Sequence, residues 1–551
     1  MGSMRTLAIA LVSVVAACSS NGNRSPDGGG GAGGDGGGGC ASSVSAAPGL
    51  VVTDRGPVQG TPSNGTWAWF AIPYAAPPVG ALRWQAPEPP ACWSQPIAAT
   101  TFGSACVQLD SDGKTVIGAE DCLTMNVWAP SSATPSSALP VLFFVHGGGN
   151  VQGSASENRN GVFLYDGSLL AAQTNAVVVT INYRLGPLGW LAHSSFADAA
   201  HTAGNYGTLD QLAALAFVQR NVAAFGGDPT HVLLFGESAG AVNVCALLAS
   251  PLAKGLFSAA LMESGACTAQ TSAAASSFAD GFAQKVGCTS GDVAACLRAL
   301  DANTVELAFP ETANIAAPTQ DDFQPNADGT VLTDSPQQVL LAGTHNHVPF
   351  IVGSNANETG QAIVAAYPSG MTMAQYQAAV LAYTSGNQTF TNAILAQYPV
   401  SDYGNDPRAA YIALTSDSKF ICTARYVTRA AATHQSEPVR RYFYTHHLDG
   451  TPLVALAMAE GAFHGQELLP LFRHMSIAGY TPSAGETTLS DAMDGYWSRF
   501  AATGDPNGGG AATWPLYDAT SDAVLELDDT SQAGAGVRTA QCDFWDTSFG
   551  R

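Results

Sequence analysis

A serine in a sharp turn is the first candidate for chemistry in this sequence. Ser238 lies within the stretch 236–240, GESAG, which follows the apolar run 231–235 and precedes small residues with a helical pattern that begins near Ala239. Glycines on both sides of such a turn relieve crowding between the strand and the helix, which is the mechanical basis of the Gly-x-Ser-x-Gly motif. The strand-turn-helix context favours a nucleophile over the alternative, an ordinary turn that contains a hydroxyl.

A glycine-rich stretch supplies a second part of the chemistry that a serine nucleophile needs. Nucleophilic catalysis requires a base, a group that orients the base and hydrogen-bond donors for the oxyanion. Residues 146–150, HGGGN, follow an apolar run. Because glycine has no side chain, the backbone N–H groups of this stretch can come close to a substrate carbonyl. We predict an oxyanion hole here, and the alternative is a glycine-rich turn without a role.

The elements that must position these groups alternate between strands and helices. Short runs rich in valine, isoleucine and phenylalanine predict buried strands, and residues 208–226 have a helical pattern. Continuous apolar strands joined by helical crossovers indicate an α/β fold with a parallel sheet covered on both faces. In such a sheet the reactive groups belong at the carboxyl ends of the strands. The predicted strands are 141–147, 176–184, 231–237, 259–265, 349–355 and 440–447.

Several longer stretches resemble the type-B carboxylesterase and cholinesterase-like family of α/β-hydrolases. The resemblance covers almost everything from about residue 45 on, which implies one large domain over 45–551 with long insertions around the active site. It implies the α/β-hydrolase fold, a mostly parallel twisted sheet with helices on both faces. The stretches that carry the resemblance, in the family's order, are GAEDCLTMNVWAP (118–130), NYRLGPLGWL (182–191), GNYGTLDQLAAL (204–215), FGGDPTHVLLFGESAGA (225–241) and GDPNGGGAATWPLYD (504–518).

The resemblance also implies the two partners of Ser238 in a Ser–Glu–His triad. Glu358, in FIVGSNANETG (350–360), falls at the family's acidic position. His464, in EGAFHGQELLPLF (460–472), falls at the position of the family's histidine. Glu358 would hold the neutral imidazole of His464 in the required tautomer and would stabilise the imidazolium that forms during the reaction.

The residues around the nucleophile receive roles from the same resemblance. The oxyanion donors would be the backbone N–H groups of Gly148, Gly149 and Ala239. Glu237, beside the nucleophile, is expected to be a buried hydrogen-bonding support rather than a proton carrier. Asn150 stands where the family often has an aromatic residue, so we expect a more polar wall next to the oxyanion hole.

The chain's eleven cysteines indicate an oxidising compartment, because an ordinary reduced cytosolic enzyme carries fewer. A pairing of Cys40 with Cys92 is a hypothesis. Cys245 is expected to be a buried free thiol, and Cys267 is left unassigned. Cys-x-x-Cys spacing is absent from the sequence, so no zinc site is indicated, and no metal or cofactor is implied. The disulfides that the resemblance implies are Cys106–Cys122, Cys288–Cys296 and Cys422–Cys542.

The N-terminal segment has the features of an export signal. Arg5 precedes the apolar run 7–17, which is too short to span a bilayer and has the length of a signal-peptide core. Residues 15–18, VAAC, resemble the lipobox of bacterial lipoproteins. We therefore expect a lipoprotein-type signal peptide that ends at Cys18, with Cys18 as the lipidated residue, and the alternative is a plain secretory signal. Residues 19–44 are rich in glycine and predict a flexible tether.

The composition limits the partners of the protein. The formal net charge is −22, from 21 basic and 43 acidic residues. Nucleic acids and anionic membrane surfaces require a basic face, so neither is an expected partner. The expected partners are an ester substrate and water, with a membrane contacted only through the possible lipid anchor. We expect an exported protein, anchored to a bacterial membrane or secreted, and leave the oligomeric state unassigned.

These observations predict a serine carboxylesterase that works through an acyl-enzyme. The alternatives are a non-catalytic, cholinesterase-like adhesion or binding protein, and a lipase or polyester hydrolase with the same chemistry. Cholinesterases bind a quaternary ammonium with an aromatic residue in the loop closed by their first disulfide. The corresponding loop between Cys106 and Cys122 has no tryptophan, tyrosine or phenylalanine. It therefore predicts a preference for neutral esters, with no strong selectivity for choline esters.

Overall fold

The candidate site rests on a large mixed sheet. The computed structural model describes residues 40, 44–197, 203–311, 313–315, 323–451 and 461–551. In this part of the chain the sheet has eleven strands. In chain order they are β1 (Thr61–Ser63), β2 (Thr66–Pro73), β3 (Thr124–Pro130), β4 (Leu139–Val145), β5 (Val177–Ile181), β6 (Gly227–Glu237), β7 (Ala259–Glu263), β8 (Phe350–Asn355), β9 (Val439–Tyr444), β10 (Ala523–Leu527) and β11 (Gln532–Ala535).

The middle of this sheet is parallel and its edges are antiparallel. The spatial order is β11-β10-β9-β8-β7-β6-β4-β5-β3-β2-β1. All neighbours from β5 to β10 in this order run parallel. Strands β1, β2, β3 and β11 attach in antiparallel pairs. The six strands predicted from apolar runs are β4 to β9, so the parallel centre of the sheet is confirmed.

Helices cover both faces of the sheet. Helices α3, α4 and α13, defined below, contribute side chains to the core on one face, and α1 and α15 to the core on the other. Even the longest described helix lacks the unbroken apolar stretch that a bilayer crossing needs. The helices are α1 (Ser168–Thr174), α2 (Gly186–Trp190), α3 (Tyr206–Asn221), α4 (Ala239–Ala249), α5 (Ser272–Lys285), α6 (Val293–Arg298), α7 (Ala302–Ala308), α8 (Pro336–Leu341), α9 (Gly360–Ala366), α10 (Met373–Tyr383), α11 (Gln388–Gln397), α12 (Pro407–Ser416), α13 (Cys422–His434), α14 (Leu468–Leu471), α15 (Ala484–Thr503) and α16 (Thr539–Phe549).

The centre of the sheet explains why its strands are continuous apolar runs. In β4, Val141, Phe143 and Val145 face one core, whereas Leu142 and Phe144 face the other. Both faces are buried, so the alternation of apolar and polar residues that marks a half-exposed strand is absent. Each such side chain contributes about 1.5–3 kcal/mol to the free energy of unfolding when fully buried.

Short strands outside this sheet shape the surface around the site. One of these pairs, Gln108–Leu109 with Val116–Ile117, forms a hairpin inside the loop that Cys106 and Cys122 close. The other short strands are Leu50–Val52, Pro57–Gln59 and Ile97–Ala98 in one sheet, Asn158–Arg159 paired with Val162–Phe163, and Gln270–Thr271 paired with Asn326–Ala327.

The domain boundaries predicted at the N-terminus are only partly covered by the structure. Cys40–Arg551 form one compact unit. Cys18 and the predicted signal peptide lie outside the described residues, as does most of the predicted tether over 19–44. The single large domain over 45–551 therefore has a structural description, whereas the lipid anchor does not.

Five disulfides are present in the described part of the chain, and one of them overturns a prediction. Cys245 was expected to be a free thiol, but it pairs with Cys267, with a Cα–Cα distance of 5.4 Å. Cys245 lies on α4 after β6, and Cys267 lies after β7. Because β6 and β7 are neighbours, the chain that leaves β7 passes beside α4, a proximity that linear spacing does not reveal. The other pairs are Cys40–Cys92, Cys106–Cys122, Cys288–Cys296 and Cys422–Cys542.

Removing the Cys245–Cys267 bridge by substituting alanine for both residues should lower the free energy of unfolding by about 2–4 kcal/mol. The bridge closes a loop with a sequence separation of 22, so it restricts the unfolded chain. Urea unfolding of the oxidised protein measures the effect. The matched control is the Cys288–Cys296 pair, whose separation of 8 predicts a smaller loss. Thiol labelling of Cys245 in the unfolded, unreduced protein would contradict the pairing.

Candidate active site

Ser238 occupies the turn between β6 and α4 with an unusual backbone conformation. Its φ is +58° and its ψ is −124°. A residue with a Cβ adopts such angles at a cost of about 1–3 kcal/mol and keeps them only where its surroundings hold it there. The N–H of Ser238 donates to the carbonyl oxygen of Glu263 at the end of β7, at 2.9 Å. Ser238 therefore stands at the carboxyl ends of adjacent strands, in the context predicted for it.

The glycines around Ser238 are required by close backbone contacts. A Cβ at Gly240 would overlap the carbonyl oxygen of Val145 at the end of β4, and a Cβ at Gly236 would lie 2.7 Å from the same oxygen. The loop that follows β7 packs closely on α4 as well, since a Cβ at Gly265 would overlap the side chain of Ala241. The first turn of α4 therefore packs directly on the carboxyl end of β4 and on the loop after β7.

His464 and Glu358 come together as predicted. Nδ1 of His464 lies 2.6 Å from Oε2 of Glu358, and the N–H of His464 donates to the Glu358 carbonyl oxygen at 3.1 Å. The second carboxylate oxygen of Glu358 accepts from the N–H of Asn355 at 2.7 Å. Glu358 is fully buried. The carboxylate is thus fixed at both oxygens, and it fixes the imidazole ring in turn.

The other nitrogen of His464 faces a third group. Nε2 lies 3.1 Å from Oε1 of Glu237, the residue immediately before Ser238. No hydrogen bond joins the hydroxyl of Ser238 to a described side chain, His464 included. Nε2 of His464 therefore contacts Glu237 rather than Ser238. The Ser238 hydroxyl is left open to the cavity that Ser238 lines.

These carboxylates control the protonation of His464. Burial of the ring lowers the pKa of His464, but the charge of Glu237 and the hydrogen bond and charge of Glu358 outweigh burial and raise that pKa to about 9. Burial raises the pKa of Glu237 to about 7, although the His464 charge opposes this rise. The imidazole is therefore held by two buried carboxylates, and Glu237 has a larger electrostatic effect than the predicted role of a hydrogen-bonding support implies.

Two further buried carboxylates lie behind this pair. Glu467 accepts a short hydrogen bond from the side chain of Asn355, and Glu263 accepts from the indole N–H of Trp497 at 2.9 Å. Burial and the charges of Glu237 and Glu358 raise the pKa of Glu467 to about 8. Burial and the charge of Glu467 raise the pKa of Glu263 well above its usual value. The sequence motifs gave no sign of this cluster of acids.

The glycine-rich loop presents free amides at the site. Gly148 and Gly149 have φ values of +99° and +65°. A Cβ at Gly148 would overlap the carbonyl oxygen of Gln152. Among the described residues, none accepts a hydrogen bond from the backbone N–H of Gly148, Gly149 or Ala239. In the described part of the chain, the three amides predicted as oxyanion donors are thus without an acceptor.

Asn150 lines the same cavity as Ser238 and Ala239, and its side chain also holds the glycine-rich loop in place. Its side chain is 3% exposed, and Oδ1 accepts from Nδ2 of Asn243 on α4 at 2.9 Å. Its carbonyl oxygen accepts from the N–H of Gly186 at 2.7 Å. Asn150 also has a φ of +59°, which asparagine adopts more readily than an aromatic residue does. The side-chain oxygen therefore ties the glycine-rich loop to the nucleophile's helix.

His146 at the start of this loop is structural. It is buried, its ring stacks on Tyr183 with centroids 4.5 Å apart, and Nδ1 lies 2.8 Å from the carbonyl oxygen of Gly147. Burial lowers the pKa of His146 to about 4. A neutral ring locked in this way cannot replace His464 as the base.

Sequence reasoning missed the wall opposite the glycine-rich loop. Asp417–Ile421 form a single π-helical turn between α12 and α13. Phe420 in this turn contacts the ring of His464, with centroids 4.8 Å apart. Nζ of Lys419 donates to the carbonyl oxygen of Ile315 at 2.8 Å. A π turn inside a helical stretch has no local sequence signature, but such turns often occur at functional sites.

Two cavities meet at the glycine-rich loop. The smaller, about 160 Å³, is lined by Gly149, Ser238 and Ala239 together with Phe420. The larger, about 510 Å³, is lined by Gly147 and Gly148 and by the hairpin of the Cys106–Cys122 loop. The residues predicted as oxyanion donors thus border both cavities, Gly148 the larger one and Gly149 and Ala239 the smaller one.

Side chains of metal-ligand type converge elsewhere, around His446. Nδ1 of His446 lies 2.9 Å from Asp528 and 3.2 Å from Asp529, and Nε2 lies 3.3 Å from Glu486. The ring nitrogens already contact carboxylates, and none of these residues lines either cavity of the site. The chemistry of Ser238 does not draw on this group.

Comparison with known proteins places the chain. Residues 47–545 match the model of the carboxylesterase family. The para-nitrobenzyl esterase of Bacillus subtilis (strain 168) is 37% identical over 498 residues, which cover 87% of this chain and 94% of that protein. Cocaine esterase of Homo sapiens is 34% identical over 508 residues, 87% of each chain. A solved structure of a PNB esterase superimposes with a TM-score of 0.74 at 34% identity and covers 90% of this chain and 99% of its own.

These similarities extend over nearly the whole domain and include the elements that carry the candidate site. They favour a carboxylic ester hydrolase over the alternative of a non-catalytic binding protein. The fold is that of the α/β-hydrolases, and the chain belongs to the carboxylesterase family.

Proposed function

We propose that Ser238, His464 and Glu358 are the catalytic triad of this serine carboxylesterase. The observation that carries the proposal is the 2.6 Å contact between His464 and the buried Glu358 beside the strained turn of Ser238. A proton on Nδ1, donated to Glu358, leaves Nε2 as the basic nitrogen. Nε2 lies toward Glu237 in the absence of substrate, and catalytic hydrogen bonds of free enzymes often tighten only when substrate binds.

The mechanism follows from this arrangement. Oγ of Ser238 forms a bond to the ester carbonyl carbon while Nε2 of His464 takes its proton. The carbonyl π electrons move to oxygen, and the amides of Gly148, Gly149 and Ala239 donate to this oxyanion. The carbon–oxygen bond to the alcohol then breaks, and His464 protonates the leaving oxygen. Water repeats the cycle on the acyl-enzyme and releases the acid and Ser238.

Glu237 has an electrostatic role in this proposal. An imidazolium forms in both transition states, and the Glu237 carboxylate 3.1 Å from Nε2 stabilises its charge. The same contact stabilises the imidazolium of the free enzyme, in which a protonated His464 cannot act as a base. Glu237 therefore raises the pH at which the free enzyme becomes active.

Relatives indicate synthetic substrates for the first assays. Their names include para-nitrobenzyl esterase and cocaine esterase, and we propose that this enzyme also hydrolyses neutral aryl and benzyl esters. The preference for neutral over choline esters, predicted from the loop between Cys106 and Cys122, remains a prediction. A lipase or polyester hydrolase with the same chemistry stays the alternative.

The disulfides indicate an exported protein, because such bonds persist in oxidising compartments. We propose further that residues 1–18 form a lipoprotein signal peptide, that Cys18 carries the lipid, and that residues 19–44 tether the domain 45–551 to a bacterial membrane.

Substitution Ser238→Ala should leave a folded protein whose kcat is lowered on the order of 10⁶-fold, because the triad acts as a unit. His464→Ala should cost nearly as much, and Glu358→Ala somewhat less. Hydrolysis of p-nitrophenyl acetate measures the losses, with circular dichroism as the folding control. An organophosphonate should label Ser238, and labelling that survives Ser238→Ala would refute the assignment.

The pH dependence should reveal the charge of Glu237. A free enzyme whose His464 has a pKa of about 9 loses kcat/KM as pH falls below that value, because the base becomes protonated. Glu237→Gln removes the largest cause of the raised pKa, so the rise of kcat/KM should move to lower pH. Glu467→Gln is the matched control, since its charge is a lesser cause and should shift the rise less. A profile that Glu237→Gln leaves unchanged would remove Glu237 from the mechanism.

The lipid anchor makes a prediction about the full-length protein in a bacterial host. The protein should partition into the detergent phase of a Triton X-114 extraction, because a lipid on Cys18 is strongly apolar. Cys18→Ala should block processing or release the protein to the aqueous phase. Mass spectrometry that places an unlipidated N-terminus beyond Cys18 would rule out the anchor.

A further inference from the structure

The two cavities of the site differ in size. The smaller, at about 160 Å³, is lined by small and apolar residues, including Ala239, Val242 and Phe323, together with polar side chains such as Asn150 and Lys419. The larger, at about 510 Å³, falls within the range of ordinary small-molecule sites. A substrate that fills both has one short part and one larger part.

Hydrogen-bonding side chains line the larger cavity. They include the amide of Gln152, the hydroxyls of Ser154 and Ser156, and the carboxylate of Glu157. Oε1 of Gln152 accepts from the N–H of Ala313 at 3.3 Å, and no described residue accepts from its NH₂ group. An apolar substituent would desolvate such groups without replacing their bonds to water, at a cost of about 1–3 kcal/mol for each group left unpaired.

Ring content argues against a quaternary ammonium as the occupant. Glu157 is paired with Arg159, with Oε1 2.8 Å from a guanidinium nitrogen. Asp110 also lines the cavity, and its carboxylate accepts from the N–H of Ser111 at 2.7 Å. Tyr165 is the single aromatic residue among the described residues that line the cavity. A quaternary ammonium needs several such faces for a tight cation–π site. The lining instead offers hydrogen-bond donors and acceptors, both neutral (Gln152, Ser156) and charged (Asp110, Glu157, Arg159), around a volume of about 510 Å³.

The position of this cavity assigns it to the alcohol part of the ester. Gly147 and Gly148 line the cavity, which therefore borders the proposed oxyanion hole. The backbone of Gly147 also packs directly on the reacting centre, since a Cβ there would lie 2.9 Å from Cβ of Ser238 and 2.8 Å from Oε2 of Glu237. The other oxygen of Glu237 lies 3.1 Å from Nε2 of His464. In the proposed mechanism Nε2 protonates the leaving alcohol, and the alcohol therefore leaves on the Glu237 side.

We propose that this enzyme hydrolyses short-chain acyl esters of polyhydroxylated alcohols, with a sugar ring in the larger cavity and the acyl chain in the smaller one. The inference rests on the proposed function, because it assumes that Ser238 and His464 react at the junction of the two cavities. A sugar ring carries a hydroxyl or ring oxygen on nearly every carbon. It thus offers donors and acceptors that replace the water bound to Gln152, Ser156 and Glu157.

A matched pair of substrates tests the class. Methyl 6-O-acetyl-α-D-glucopyranoside and cyclohexylmethyl acetate have the same acyl group on a six-membered ring, but only the first carries hydroxyls and a ring oxygen. We expect kcat/KM for the sugar ester to be at least tenfold higher, equivalent to about 1.4 kcal/mol. An equal or lower value would overturn the proposal. Acetylcholine against 3,3-dimethylbutyl acetate forms a second pair, and a tenfold advantage for acetylcholine would assign the cavity to a cation instead.

A substitution then tests the cavity itself. Gln152→Leu keeps the size of the side chain and removes its donor and acceptor, so the ratio of the two kcat/KM values should fall about tenfold. Gln377→Leu, on the exposed face of α10, is the matched control and should leave the ratio unchanged. A sugar preference that Gln152→Leu does not reduce would overturn the placement of the sugar.

The same assays distinguish failure of the proposed function from failure of the proposed substrate class. If p-nitrophenyl acetate is not hydrolysed, or is hydrolysed equally by Ser238→Ala, the triad assignment fails and this inference fails with it. If p-nitrophenyl acetate is hydrolysed in a Ser238-dependent reaction while the sugar ester has no advantage, only the substrate class is overturned. Because the readout is a ratio of two substrates on one protein sample, partial misfolding does not change it.

Discussion

The site depends on the contact between the first turn of α4 and the end of strand β4. Gly240 lies so close to the Val145 carbonyl oxygen that no side chain fits between them. This contact brings the amide of Ala239 beside the glycine-rich loop that follows β4, and it forces Ser238 into its unfavourable backbone conformation. The rest of the sheet supplies the rigidity that holds this strain, because both faces of β4 are buried in separate cores.

A second constraint is the negative charge buried beside the nucleophile. Removing a carboxylate from water costs several kcal/mol unless it is paired or protonated. Glu358 is compensated by the His464 imidazole and a backbone N–H, whereas Glu237, Glu263 and Glu467 have pKa values raised by burial. His464 is the cation whose charge Glu237, Glu358 and Glu467 stabilise. The arrangement makes a stronger base of the imidazole but reduces the fraction that is neutral at pH 7, and the balance between these two effects sets the working pH.

The parts of this molecule that could be predicted from its sequence are those with local or family signatures. The apolar runs identified β4 to β9 because strands buried on both faces need no alternation, and the stretches around Glu358 and His464 led to a pair that the structure brings within 2.6 Å. The parts that could not be predicted depend on which segments become neighbours. Cys245 meets Cys267 only because β6 lies beside β7. Asn150 lines the cavity of Ser238, but its bond to Asn243 on a helix 93 residues later has no local signature in the sequence.

The π turn that carries Phe420 links the site to the end of the chain. Cys422, directly after this turn, is bonded to Cys542 on α16, and Arg425 on α13 pairs with Asp546 on the same helix. Cys422 and Cys542 are 120 residues apart in the sequence, so the shape of this wall depends on a segment far from the nucleophile. The covalent link forms only where thiols are oxidised. In a reducing environment the wall is held by noncovalent contacts alone.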